Sequence, residues 1–143
     1  MEDPAGPIRN RLRALYSDTT VDHILHPRNN DCLPNADGFA EHRSGDGESL
    51  KIWLRIRQNA VERAGFWTNG CAAIIACGSM ATELVRGKSV IQALGITAHQ
   101  IDEALGNLPQ GNFHCAELAA NTLRNALRDY LSIQRQPWKR FYR

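Results

Sequence analysis

The chain has 143 residues, 43% of them apolar and 22% charged, which is typical of one soluble domain with a modest hydrophobic core. A formal net charge of +2 is too small to indicate a nucleic-acid partner, and no apolar run is long enough to span a bilayer. The first residues are acidic and rich in proline and glycine, so we expect no signal peptide and a reducing, cytoplasmic location.

The chain has four cysteines, and we expect free thiols or metal ligands in such a location rather than disulfides. They are Cys32, Cys71, Cys77 and Cys115, and no two of them have the C-x-x-C spacing of zinc fingers.

The N-terminal part of the chain predicts a flexible segment, a short helix and a loop. Residues 1–17 are expected to be flexible, beginning as a tail up to Asn10. Asp18-Thr19-Thr20 supplies an N-cap for a short helix that ends before Pro27. Proline, asparagine and glycine then predict a loop over His26–Gly38, and Cys32 belongs to it.

The next residues predict three strands that follow one another. Phe39–Arg43 is a candidate first strand, and residues 44–47 have the composition of a turn. In Leu50–Arg57, every second residue is leucine or isoleucine and three of the four between them are cationic, which predicts a strand with one buried face. After a turn at Gln58-Asn59, Ala60–Thr68 is expected to return as its antiparallel partner.

The remainder of the chain is predicted to be helical. The expected helices are Cys71–Arg86, a short one capped by Ser89, a second short one capped by Thr97, and a long amphipathic one over His114–Gln134. Strands followed by helices indicate an α+β fold, with a small antiparallel sheet of about three strands covered on one face by helices and a long C-terminal helix. We expect one domain over residues 18–135, followed by a basic, aromatic tail over residues 136–143.

Polar or sulfur-containing donors stand beside the ends of several of these elements. Cys71 opens a helix, where unpaired N–H groups and the helix dipole favour a thiolate. Asp46 lies in the turn before the main strand, and His114 and Cys115 open the last helix. If these ends meet, two thiolates, one imidazole and one carboxylate form a four-coordinate metal site.

Several motifs in register resemble those of the NifU/IscU-type scaffolds of iron–sulfur cluster assembly. They are Asp22-His23-x-x-x-Pro27-Arg28-Asn29, Gly45-Asp46, Phe66-x-Thr68-x-Gly70-Cys71, Ala81-Thr82-Glu83-x-Val85-x-Gly87-Lys88 and His114-Cys115. The resemblance covers the chain from about Val21 to Ser132 and identifies it as a divergent member of this family.

The resemblance implies a binding and transfer protein rather than an enzyme. It implies a site that receives sulfur from a cysteine desulfurase and iron from a donor, assembles a transient 2Fe–2S cluster, and passes it to apo acceptor proteins. Asp46, Cys71 and Cys115 would hold the cluster, with His114 as a further ligand or a neighbour of the ligands. In this family zinc can occupy the same site.

The sequence departs from the family in two places. The family carries a third ligand cysteine just before Gly-Asp, and here that position is Ser44, a harder and much less acidic donor that is at most a weak ligand. The chaperone-docking segment of the IscU branch ends in Pro-Val-Lys, whereas this chain has Gln110-Gly111-Asn112.

These departures leave two alternatives open. One is a paralogue that has lost cluster assembly and holds a mononuclear zinc or iron ion in a structural or regulatory site. The other is a thiol enzyme with Cys71 as nucleophile and His114 as base. Cys77 is expected in the core and Cys32 as an ordinary loop thiol, and a homo-oligomer is among the states open to the chain.

Overall fold

The computed structural model describes residues 6–142. In chain order, the elements are α1 (Gly6–Arg13), α2 (Asp18–Leu25), β1 (Gly38–Arg43), β2 (Ser49–Arg57), β3 (Ala60–Thr68), α3 (Ala72–Val85), α4 (Val90–Leu94), α5 (Ala98–Ala104), a 3-10 turn (Gln110–Asn112), α6 (Phe113–Arg135) and a C-terminal 3-10 helix (Pro137–Tyr142).

The three strands form one antiparallel sheet in the order β1-β2-β3. Leu50, Ile52 and Leu54 of β2 are fully buried, while the residues between them point to the opposite face. This is the alternation that the sequence predicted, since successive side chains of a strand point to opposite faces. The predicted α+β fold is confirmed.

Helices α3 and α6 cover the buried face of the sheet. Helix α3 lies along β3, and its Gly78 has room only for hydrogen, because a Cβ atom there would come within 2.7 Å of the Phe66 ring. Helix α6 crosses β1 and β2. Within residues 6–142 there is no helix that combines the length and apolar character needed to cross a membrane.

The two ends of the described chain differ from the irregular segments that the composition suggested. Within the segment predicted to be flexible, α1 begins at Gly6, and none of its residues is buried. Residues 1–5 lie outside the described part of the chain. At the other end, Pro137–Tyr142 contacts α6, where Lys139 donates to Ser132, and Arg140 pairs with Asp37, just before β1, across 3.9 Å. The last residue is also outside the described part.

Hydrogen bonds that involve polar side chains connect helix α2 and the loop after it to α3. The Nδ1 atom of the buried His23 lies 2.7 Å from Ser79 Oγ, and the backbone N–H of Arg28 donates to the same oxygen at 2.8 Å. Asn29 then donates to Thr82 and Glu83 of α3. The N-terminal motif of the sequence therefore places one end of the chain against the middle of α3.

Burial lowers the pKa of His23, and the positive charge of Arg28 lowers it further, while Asp22 and Glu83 act in the opposite direction. The folded state therefore keeps His23 neutral at a pH where the unfolded chain binds a proton.

We predict that acidification destabilises the protein through His23. As the pH falls below about 6.5, the ordinary pKa of histidine, the unfolded state takes up a proton before the folded state does, so the free energy of unfolding declines. Urea unfolding at several pH values should show a shallower decline for His23→Gln than for the wild type. Parallel pH curves for the two proteins would contradict the prediction, and His42→Gln, an exposed change, is the control.

Candidate metal-binding site

Cys71 is the N-cap residue of α3 and is exposed to solvent. Its carbonyl oxygen accepts hydrogen bonds from the N–H groups of Ile74 and Ile75, both at 3.1 Å, whereas its side chain makes no capping bond. The backbone of Cys71 is thus fixed by the helix, and its sulfur can accept another group.

A set of hydrogen bonds to Ser49 fixes the turn that presents Cys71. The hydroxyl of Thr68 donates to the carbonyl oxygen of Ser49 at 2.7 Å, and the N–H of Ser49 donates to Asn69 Oδ1 at 2.7 Å. The N–H of Gly70 donates to Thr68 Oγ1 at 2.9 Å. No motif in the sequence indicated Ser49 as part of this turn, since only the pairing of β2 with β3 brings it there.

Cys115 lies in the first turn of α6 beside Cys71, and in contrast to Cys71 it is completely buried. Burial, and to a lesser extent the neighbouring Cys71 side chain to which it is hydrogen-bonded, raises the pKa of the Cys115 thiol to about 12. The structure therefore brings the two predicted sulfur ligands together, one exposed and one held as a buried thiol.

His114 and Asp46 lie at the edge of this pair. The Nε2 atom of His114 is 3.6 Å from Cys115 Sγ, and its Nδ1 atom is 3.1 Å from the carbonyl oxygen of Gly111. The pKa of Asp46 is lowered most by the hydrogen bond from the Ser44 hydroxyl. The N–H of Glu48 lowers it less, and the charge of His114 lowers it least, so the exposed carboxylate is readily ionised.

Ser44 occupies the position where the family carries a cysteine, and it is already engaged. Its hydroxyl donates to the Asp46 carboxylate and lies 3.2 Å from the carbonyl oxygen of Glu48. A hydroxyl in this state supports the turn and stabilises the Asp46 anion.

The candidate donors are neighbours, but they do not form a finished cage. Across residues 6–142, no group of three or more histidine, cysteine, aspartate or glutamate side chains converges in a way that could hold a metal ion. A ligand set of Asp46, Cys71, His114 and Cys115 therefore requires side chains to rotate toward one another and Cys115 to be uncovered.

The other two cysteines lie away from this pair. Cys77 is completely buried in the core, as expected, and burial raises its pKa far above the ordinary value. Cys32 is exposed in the loop before β1. That loop crosses the sheet face opposite to the helices, because the carbonyl oxygen of Asp31 lies directly over Gly65.

Tyr16 is a neighbour of the site that the sequence did not reveal. It packs against the core, burial raises its pKa, and the thiols of Cys71, Cys115 and Cys77 raise it further. No motif indicated Tyr16, since its position depends on how the segment between α1 and α2 packs.

The described chain is an α+β protein with two adjacent thiols at helix starts, and comparison with known proteins identifies its family. The NifU-like N terminal domain family matches residues 15–137. The "Iron-sulfur cluster assembly scaffold protein IscU 1" of Archaeoglobus fulgidus is 43% identical over 117 residues, which cover 81% of this chain and 76% of that protein.

The corresponding IscU scaffold protein of Aquifex aeolicus is 38% identical over 122 residues, covering 83% of this chain and 78% of the relative. The chain belongs to the NifU-like N terminal domain family, and the resemblance seen in the sequence is confirmed.

Solved structures share the fold. A Fervidobacterium islandicum AW-1 protein, described as a candidate iron–sulfur cluster assembly scaffold for the SUF system, superposes with a TM-score of 0.64 at 18% identity, covering 80% of this chain and 98% of that one. The N-terminal part of a NifU-like protein from Brucella abortus gives 0.52 at 19% identity, covering 85% of this chain and 83% of that one.

We predict that the four thiols react with iodoacetamide in two classes. Cys71 and Cys32 are exposed and should be alkylated first at about pH 8, whereas a buried thiol with a pKa of about 12, as at Cys115, leaves roughly one molecule in ten thousand ionised. Peptide mass mapping over time would assign each site. Unfolding in urea should make all four react, and equal rates for Cys71 and Cys115 in the folded protein would contradict the prediction.

Proposed function

We propose that this chain is a scaffold on which a 2Fe–2S cluster is assembled and from which it is passed to acceptor proteins. The observation that carries the proposal is the adjacency of Cys71 and Cys115, each at the start of a helix, in a chain of this family. Relatives with 43% and 38% identity over most of their length are named iron–sulfur cluster assembly scaffold proteins, which supports the same role here.

The exposure of Cys71 makes it the sulfur acceptor in this proposal. Its thiolate would attack the outer sulfur of a persulfide on a cysteine desulfurase, forming a persulfide on Cys71 and releasing the thiolate of the desulfurase. The thiol of Cys71 is accessible for this step without any change in the fold.

Cys115 would join the site when the cluster is loaded. Coordination requires the thiolate, so loading must uncover Cys115 and release its proton. Asp46 and His114 would complete the ligand set as the weaker donors, and Ser44 would contribute at most a weak oxygen contact.

The proposal implies partners rather than a substrate that the chain turns over. They are a cysteine desulfurase, an iron donor and apo iron–sulfur acceptor proteins, and we propose that the chain meets them in the cytoplasm. The alternative of a mononuclear zinc or iron site without cluster assembly is not supported by the relatives, which are named as scaffolds.

We predict that both helix-start thiols are needed for a cluster. After anaerobic incubation with a cysteine desulfurase, cysteine and ferrous iron, Cys71→Ser and Cys115→Ser should retain less than about a tenth of the wild-type iron and acid-labile sulfide, because each loses a thiolate ligand. Cys32→Ser is the matched control and should equal the wild type. Unchanged cluster content in both variants, or metal bound without sulfide in the wild type, would overturn the proposal.

We further predict that Ser44→Cys lengthens the lifetime of the cluster. A thiol at this position adds a strong ligand, so loss of the cluster to an iron chelator should slow by about tenfold, which corresponds to roughly 1.4 kcal/mol of activation free energy. Ser132→Cys adds a thiol at the far end of α6 and should leave the lifetime unchanged. An unchanged lifetime in Ser44→Cys would show that the β1–β2 turn does not contact the cluster.

A further inference from the structure

The C-terminal end of α6 and the 3-10 helix that follows it enclose a shallow groove far from the cysteines. It has a volume of about 370 Å³ and is lined by Arg128, Leu131, Ser132, Arg135, Gln136 and Lys139. Arg128, Leu131 and Arg135 follow one another at spacings of three and four residues, which places them on one side of the helix. The groove thus has an apolar floor between cations, and none of the described residues that line it carries a carboxylate.

Within the described part of the chain, no carboxylate pairs with the cations of this groove. Arg128 and Arg135 are exposed, and neither forms an ion pair with another described residue. Lys139 donates only to the neutral hydroxyl of Ser132, at 3.1 Å. The nearest carboxylate in sequence, Asp129, accepts from the N–H of Phe39 and so faces the sheet.

The 3-10 helix that carries Lys139 also carries two exposed aromatic side chains. Trp138 is 57% exposed and Phe141 is 86% exposed, an unusual degree of exposure for large aromatic residues. Exposed aromatic residues next to arginines have the composition of protein-binding surfaces.

We propose that this groove binds an acidic peptide segment of a partner protein. The segment would insert one apolar side chain between two of its own carboxylates, and the groove residues that would contact it are Arg128, Leu131, Arg135 and Lys139. The charges of the groove and of such a segment are complementary, and the concave, apolar floor can accommodate one inserted side chain. A flat membrane surface offers no such protruding side chain. Nucleic acid is less well matched, because the whole chain has a net charge of only +2.

The position of the groove separates this contact from the thiols. Leu131 lies sixteen residues beyond Cys115 on α6, which is about 24 Å at 1.5 Å per residue. A partner held by the groove therefore leaves the cysteine end of the molecule accessible. The inference does not depend on the cluster and can be tested without one.

The test is fluorescence anisotropy with a short labelled peptide in which leucine stands between glutamates. The peptide should bind the wild-type protein, and the double variant Arg128→Glu with Arg135→Glu should bind at least about tenfold more weakly. The matched control, Arg57→Glu with Arg63→Glu, makes the same change in net charge on the sheet and should alter affinity by less than about twofold. Cys71→Ser with Cys115→Ser should bind like the wild type.

Several results would overturn the proposal. One is an equal loss of peptide affinity in both charge-reversed variants, and another is equally tight binding of a peptide with glutamine in place of glutamate. The third is tighter binding of the protein to phosphatidylserine vesicles or to single-stranded oligothymidine than to the acidic peptide. Circular dichroism and thermal unfolding of both double variants would establish that each is folded.

Discussion

The hydrogen bonds between Ser49 and the Thr68–Gly70 turn determine where the site begins. At this point the chain leaves the sheet and enters α3, so regular strand pairing ends and side chains must satisfy the backbone groups. Because Ser49 belongs to the central strand, its hydrogen bonds connect the turn to the most buried strand of the sheet. Cys71 follows immediately, and its exposed thiol therefore rests on a rigid base.

The two thiols at the site differ in a way that suits temporary binding. Cys71 is open to solvent, whereas Cys115 is buried and kept protonated. Uncovering so small an apolar side chain costs on the order of 1 kcal/mol, and deprotonating it adds to that cost. The net free energy of binding is reduced by the free energy needed to open the site. Under the proposed function, a cluster is consequently held less firmly than it would be in a preformed four-thiolate cage.

The sequence predicted those features that local periodicity and capping determine. The apolar residues at every second position from Leu50 predicted the central strand. Ser89 and Thr97 cap two short helices, as their spacing predicted. The burial of Cys115, the approach of Tyr16 and the bond from His23 to Ser79 could not be predicted, because they join residues far apart in the chain. Helix α1 was missed for a related reason, since it buries no residue and leaves only a weak apolar pattern.

The serine at position 44 changes the character of the β1–β2 turn. A cysteine there would offer a thiolate to iron, but a serine hydroxyl stays protonated and donates to Asp46, which helps to keep that carboxylate ionised. The turn thus presents negative charge without a soft ligand. Strong bonds to iron would then come from Cys71 and Cys115 alone, each at the start of a helix. A site with two strong and several weak donors exchanges its cargo readily, which is the property that a transfer scaffold needs.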